Sequence, residues 1–456
     1  MQRVRTPLDT TRAPPGLPYI VVNEAAERFS FAGMKSILVV FMTTHLLDSA
    51  GASAPMTGAE AKGWFHAFAS AVYFFPLLGS ALADALLGKY RTIYWFSIVY
   101  CLGHLALALD GTRAGLWIGL SLIAVGSGGI KPCVSAHLGD QFGRRNAHLL
   151  ERAFTWFYFA INIGTVASIV LTPWLLDAYG PHVAFGVPGL FMLLATAVFR
   201  GGRDVFVHVP AGGAALLRQT FSRASLASVG SLVALYGYVA VFWSLFAQTG
   251  SAWVLQAEQM DRVVFGVELL PAQVLAAQPL ATLALLPLAT YALYPAIARV
   301  VAPTPERRIG IGMAVIAGVF VLLAWIEAQI AGGAHPSILW HVLGYLLIAL
   351  AEVLVAVTCI ELSYRRAPPA MKSLVMALFA FSVSLGNLFT SAVNLFVVDA
   401  EGASLLRGPD YFLFFAGLMT ATLLLYIPFA RWFAGLPAPA QPTDGALEAP
   451  CSTPRS

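Results

Sequence analysis

Twelve apolar stretches follow one another along this chain, at roughly 20–47, 64–87, 92–109, 115–137, 153–176, 181–199, 225–250, 271–297, 309–332, 337–362, 373–398 and 411–433. Each is long enough to cross a hydrocarbon core of about 30 Å as a helix. In lipid the backbone must satisfy its own polar groups, so only helices and closed barrels span it. The stretches lack the ten-residue alternation of barrel strands. The expected fold class is therefore an all-α integral membrane protein with twelve transmembrane helices. Composition agrees, since 11% of the residues are charged, against about 25% in soluble proteins.

The basic residues give the chain a direction. With both termini placed inside, 20 of the 27 Lys and Arg fall on the cytoplasmic side. Four (Lys62, Arg113, Arg262, Arg407) fall outside, and three (Arg28, Lys35, Lys131) lie within spans. This asymmetry is the positive-inside pattern. The expected location is a bacterial-type cytoplasmic (inner) membrane, multi-pass, with cytoplasmic termini. No cleaved signal peptide is expected at the N-terminus.

The spans divide as six plus six about 200–224, RGGRDVFVHVPAGGAALLRQTFSRA, read as a cytoplasmic linker. The expected organisation is a disordered arm at 1–17, bundles at 18–199 and 225–433, and a disordered tail at 434–456, rich in Pro, Ala, Ser and Thr. The four cysteines are scattered, three in apolar segments and Cys451 in the tail, and suggest neither a disulfide framework nor a metal site.

Ionisable side chains at bilayer depth cost on the order of 3 kcal/mol, and persist where they pair or face water. Glu24, Glu27 and Arg28 stand at i, i+3 and i+4, on one helix face. They read either as a headgroup patch or as a functional cluster. Lys35, seven residues beyond Arg28, lies about 10 Å deeper on nearly the same face. In GSGGIKPCVSAHLGDQF (126–142), Lys131 sits beside the helix-interrupting Pro132, with glycines that permit close packing. A lysine there calls for a carboxylate, and Glu352, alone near the middle of the tenth span, is the candidate. That pair would join the two halves. Glu361 and Glu327 read as interfacial. His66, near the outer end of the second span, reads as structural or as a group able to titrate against an acidic exterior. Asp84, Gly88, Lys89 and Arg91 form a tight basic turn after that span.

These residues together carry a resemblance. The stretch 79–91 resembles the cytoplasmic loop motif of the major facilitator superfamily. EAAERFSFAG (24–33) is similar to the ExxERFxxxG motif of the proton-dependent oligopeptide transporters. GSGGIKPCVSAHLGDQF and FYFAINIG (157–164) resemble that family's long signatures. AEVLVAVTCIELSYRRAPPAMKS (351–373) resembles its tenth span and following loop. The likeness runs from about residue 18 to 433. It implies the major facilitator fold, two six-helix bundles around a central cavity, and proton-coupled import of di- and tripeptides by alternating access. It implies that Glu24, Glu27, Arg28 and His66 couple protons. Lys131 and Lys35 are expected to serve the peptide carboxylate and Glu352 its ammonium. Asn162 and Gln278 are expected at the peptide backbone, with Phe31, Tyr73, Tyr158, Trp243 and Phe379 lining the cavity. The implied partners are the peptide, protons and membrane lipid. No cofactor, metal, enzyme activity or nucleic-acid partner is expected, and a monomer is.

The chain also departs from the family pattern. Phe31 and Ala32 stand where tyrosines are usual, and Phe379 replaces a tryptophan. Ala247 stands where the family places an acid four residues after the seventh-span tryptophan, which is expected to leave Lys35 unpaired. An alternative is therefore a family member with another small zwitterionic substrate or altered proton coupling. A peptide sensor is a further alternative. GxSxG and HExxH are absent, which argues against an intramembrane enzyme. One chain supplies no ring of filter residues, which argues against a channel.

Overall fold

A computed structural model describes residues 6–7, 10–211, 230–288, 304–366, 372–397 and 404–436. Most of the predicted linker and tail, 212–224 and 437–456, lies outside the described residues, as does Cys451.

The first half consists of α1 (Leu17–Thr44), α2 (Gly58–Leu82, continued by a π turn Ala83–Leu87), α3 (Lys89–Leu109), α4 (Arg113–Gly139), α5 (Leu150–Tyr179) and α6 (Pro181–Gly201). The second consists of α7 (Gly230–Phe246), α8 (Ala277–Leu288), α9 (Pro305–Ala331), α10 (Leu339–Glu352), α11 (Lys372–Phe396) and α12 (Pro409–Ala434). A 3-10 turn Ala247–Gly250 and a short helix Ala252–Ala257 carry α7 onward, and a π turn Val353–Val357 with Thr358–Arg366 carries α10 onward. The helices begin where the sequence signals a start. Thr57, Thr112 and Thr304 each cap an amide three residues on, and Pro181, Pro305 and Pro409 open α6, α9 and α12.

Ten of the continuous helical runs are long and apolar enough to cross a membrane. α1 is long enough but carries Glu24, Glu27, Arg28 and Lys35, and the predicted eighth span is described only to Leu288. Between α7 and α8 lies a feature the all-helical reading omitted. It is a two-stranded hairpin pairing Val263 with Glu268 and Val264 with Val267. Its two-residue turn, Phe265-Gly266, has φ of 51° and 82°, the left-handed backbone that tight hairpins require.

Each half builds its own apolar core, one around Met34, Ile37, Phe41, Phe65 and Ile123, the other around Phe242, Met313, Phe320, Tyr345 and Phe415. The cores touch where Val254 and Ala272 of the second half pack into the first. Without a hydrophobic drive between helices in lipid, close backbone approach sets the packing. Gly79 of α2 lies against Gly128 and Gly129 of α4, and an added Cβ would meet the Gly128 carbonyl well inside contact distance. Gly79→Ala is expected to lower stability by about 1–3 kcal/mol. Gly318→Ala, which meets no neighbour within 4 Å, should leave the unfolding temperature nearly unchanged, and thermal unfolding of both in detergent checks the pair.

Candidate functional site

The charged face of α1 turns into the protein. Glu24 and Glu27 are buried. The Arg28 Nε lies 2.7 Å from Glu24 and 3.1 Å from Glu27, so one guanidinium serves two acids. Only the Glu24 contact is a hydrogen bond; both Glu27 oxygens lack a hydrogen-bond partner among the described residues. The two acids are thus packed inside the protein rather than displayed on its surface.

Arg28, Phe31 and Lys35 continue along α1 into a cavity of about 180 Å³ between the halves. The second half contributes Phe246, Leu275, Gln278 and Tyr345 to its wall. Lys35 makes no ion pair among the described residues, and its Nζ lies 5.4 Å from the Phe65 ring centre. Ala247, buried on the 3-10 turn after α7, offers it no carboxylate.

The expected pairing of Lys131 with Glu352 is not formed. The Lys131 Nζ stands 3.5 Å from the Phe31 ring centre and 5.4 Å from that of Tyr73. Glu352 instead accepts hydrogen bonds from Gln278 Nε2 at 2.6 Å and Thr282 Oγ1 at 3.2 Å. Each charge is satisfied inside its own bundle, the cation by aromatic faces and the acid by α8 donors. The supports of the two charges, Phe31 and Gln278, both line the cavity. The arrangement is thus two opposite poles on separate bodies, unbridged.

The remaining predicted cavity residues divide. Trp243 packs edge-on against Phe379 at 6.2 Å, and Phe379 against Tyr236 at 5.8 Å, which makes an apolar wall. The Trp243 Nε1 has no acceptor among the described residues. Asn162 is buried, and its amide donates to the Tyr158 carbonyl one turn back at 2.8 Å, while Tyr158 itself is 40% exposed. Lys89 pairs with Asp140 at 2.7 Å, and Gly88 takes the φ of 75° that starts α3.

His66 lies deeper than its sequence position suggested. It is fully buried between the halves, about 13 Å into α2. Its Nδ1 is 2.9 Å from Asn387 Oδ1 and its Nε2 is 2.8 Å from Ser251 Oγ. The Asn387 amide nitrogen donates to the Val383 carbonyl at 2.9 Å, which turns its oxygen toward His66. The neutral ring thus carries its proton on Nδ1 and accepts from Ser251. Ser70 and Ser384 add a further hydroxyl contact at 2.9 Å, and Gln273 Nε2 donates to the Val170 carbonyl at 2.9 Å. Among the described residues, the hydrogen bonds between halves run from the middle of α2 to the α1–α2 end. Asn387, Ser251, Ser384 and Thr282 were not singled out in the sequence, although an asparagine in an apolar span is a detectable signal.

Glu327, near the end of α9, accepts from Gln256 Nε2 at 2.6 Å, and Glu361 is 43% exposed, 3.8 Å from Arg308. Cys101, Cys133 and Cys359 form no disulfide.

With this geometry in hand, the comparisons are specific. The family model described as PTR2, POT family, matches residues 90–233 and 223–406. The chain belongs to the POT family. Peptide transporter family 1 of Drosophila melanogaster is 34% identical over 371 residues, covering 71% of this chain and 49% of the relative. Solute carrier family 15 member 2 of Homo sapiens is 33% identical over 368 residues, covering 70% and 49%. This POT-family chain spans about half the length of these curated relatives. Solved structures match along nearly their whole length. The POT family transporter PepTSo is 32% identical with a TM-score of 0.83, covering 93% of this chain and 99% of that one. A proton dependent oligopeptide (POT) family transporter is 34% identical with a TM-score of 0.76, covering 90% and 100%. The POT family is one of multi-pass membrane transporters rather than enzymes, and the twelve-helix major facilitator arrangement of these neighbours is the fold of this chain.

Proposed function

We propose that this chain is a proton-coupled symporter that imports di- and tripeptides by alternating access. The observation that carries this reading is the unbridged pair, Lys131 over Phe31 in one bundle and Glu352 under Gln278 and Thr282 in the other. A short peptide at neutral pH carries a carboxylate and an ammonium, so it can complete a link between the bundles that the side chains leave open. Lys35, with no carboxylate partner among the described residues, adds a second cation for the carboxylate end. Trp243 and Phe379 supply apolar contact, which discriminates weakly among side chains. Asn162, Gln278, Tyr73 and Tyr158 complete the polar and aromatic lining.

Proton uptake acts at Glu24, Glu27 and His66. Protonating either glutamate weakens its attraction for Arg28. Protonating His66 turns Nε2 into a donor, so Ser251 must send its own hydrogen elsewhere; the Gln248 carbonyl lies 3.5 Å away. The charge then sits in the seam between bundles, where it biases their separation. Peptide and proton shift one equilibrium between two shapes, which is what coupling requires. The hydrogen bonds between bundles at the α1–α2 end support an inward-facing arrangement, given cytoplasmic termini in an inner membrane. The protein acts as a monomer, because one chain supplies both poles.

Proteoliposome uptake of labelled dialanine under an imposed inward proton gradient tests this. Competition by di- and tripeptides, and weak competition by free amino acids, is the expected pattern. Uptake indifferent to the gradient, or blocked by amino acids alone, overturns it. One observation favours a second reading, a different zwitterion or altered coupling: Ala247 leaves Lys35 without its acid. A thermal-shift panel separates the two, since the first predicts stabilisation by dipeptides and the second by a modified or single amino acid.

A further inference from the structure

The cavity of about 180 Å³ between the halves is lined by two cations, Arg28 and Lys35, and by no acid. Arg28 is already matched, by Glu24 at 2.7 Å and Glu27 at 3.1 Å, and Lys35 is not. The Lys35 ammonium stands 5.4 Å from the Phe65 ring centre. That ring abuts Gly250, where an added Cβ would meet the Phe65 Cζ at 2.7 Å. Gly250 belongs to the second half and lines the same cavity with Phe246 and Thr249. The lysine thus sits at the seam, near a turn, Ala247–Gly250, whose sequence AQTG carries no carboxylate. From α8 and α10 the wall receives Gln278 and Tyr345. The acid of α10, Glu352, is held by Gln278 and Thr282.

Two cations, Lys35 and Lys131, therefore have no acid among the described residues, and one acid, Glu352, has no cation. A peptide with one carboxylate and one ammonium matches Lys131 and Glu352 and leaves Lys35 over. The cluster of Glu24, Glu27 and Arg28 carries one excess negative charge, which the proton of the transport reading removes. With that proton and a neutral peptide aboard, the site keeps one positive charge. A peptide with a second carboxylate cancels it. Opposite charges attract far more strongly in a low-dielectric interior than in water, and a carboxylate leaving water is compensated only where a cation is already in place. Lys35 is such a cation. It lies one helical turn, about 6 Å, beyond Phe31, the ring that Lys131 faces at 3.5 Å. Both lysines belong to the first half and Glu352 to the second. The second carboxylate therefore belongs on the carboxyl-terminal residue of the peptide, whose side chain leaves the chain beside the α-carboxylate.

We propose that the cavity prefers peptides whose carboxyl-terminal residue is acidic, with Lys35 as the residue that selects the side-chain carboxylate. The inference rests on the transport reading and adds a substrate class to it, di- and tripeptides ending in aspartate or glutamate.

The test is competition against labelled dialanine in proteoliposomes under an inward proton gradient, at an outer pH of about 6.5, where a glutamate side chain is ionised. Alanyl-glutamate and alanyl-glutamine have the same length and nearly the same shape, and differ in charge. The first should reach half-inhibition at about tenfold lower concentration, the size of one added bond to a charged group. Glutamyl-alanine should show no such advantage over glutaminyl-alanine. In Lys35→Gln the advantage should fall to parity, and Lys35→Arg should keep it. These are ratios within one protein, so they survive a general loss of uptake. Thermal-shift titration with the same peptides supplies them where uptake is too slow to read. Parity of alanyl-glutamate with alanyl-glutamine in wild type, an equal advantage for glutamyl-alanine, or an advantage that persists in Lys35→Gln overturns the proposal. Absence of dialanine uptake, by contrast, overturns the transport reading itself.

Discussion

Lys131→Ala is expected to reduce dialanine uptake by at least about 30-fold, because truncating one partner of a buried charge contact costs 2 kcal/mol or more. The size follows from the surroundings. Lys131 touches aromatic faces and no acid among the described residues, so a peptide carboxylate would be its first anionic partner. Removing it leaves the peptide's anionic end without its cation, while Glu352 keeps both its donors. The protein should therefore fold and reach the membrane, as size-exclusion profiles in detergent would show. Glu352→Gln should lose uptake to a similar degree, by failing the ammonium end. An acetylated peptide, already lacking that ammonium, should be handled equally by wild type and Glu352→Gln. Normal dialanine uptake in both variants would end the assignment of the two poles.

The second large effect concerns His66→Ala. Coupling free energies between two ligands commonly amount to 1–3 kcal/mol, or 5- to 150-fold. Wild-type uptake should rise by about 5-fold or more as the outer pH falls from 8 to 6. The sign follows from the site: acid adds a proton to a ring whose Nε2 now accepts from Ser251, and the changed bond loosens the seam. In His66→Ala that rise should vanish. Exchange of labelled for unlabelled peptide at equal pH should persist, since it needs no net proton movement. A purely structural histidine would lower both assays together and leave the shape of the pH profile intact. That outcome would remove His66 from the coupling.

Much of the architecture was legible because the bilayer imposes one strong rule on spanning segments. Apolar length located the helices, and the helix ends differ from the expected ones by a few residues, as at Leu17–Thr44 for 20–47. What escaped was short-range and polar. The 263–268 hairpin is too brief for any periodicity to register. The site shows the same division. Glu24, Glu27 and Arg28 were visible because charge in an apolar run is conspicuous, and their mutual contact follows from helical spacing. Thr282 and Ser251 were not, because hydroxyls are ordinary in membrane helices. Lys131 and Glu352 were read from the sequence as a joined pair, and the structure gives each its own neighbours instead. Sequence spacing cannot tell a closed pair from two groups held apart by aromatic and amide neighbours.

The two halves also pack apolar groups against each other, Phe74 against Phe381 at 6.1 Å and Gly63 against Leu395 among them. Five hydrogen bonds among the described residues stitch the two sides together. Each is worth about 1 kcal/mol, so these polar links alone are of the order of the roughly 5.5 kcal/mol that carries a two-state balance from one extreme to the other. In the proposed cycle, cargo and acid acting together supply energy to this polar seam, which can open and re-form without any helix unfolding.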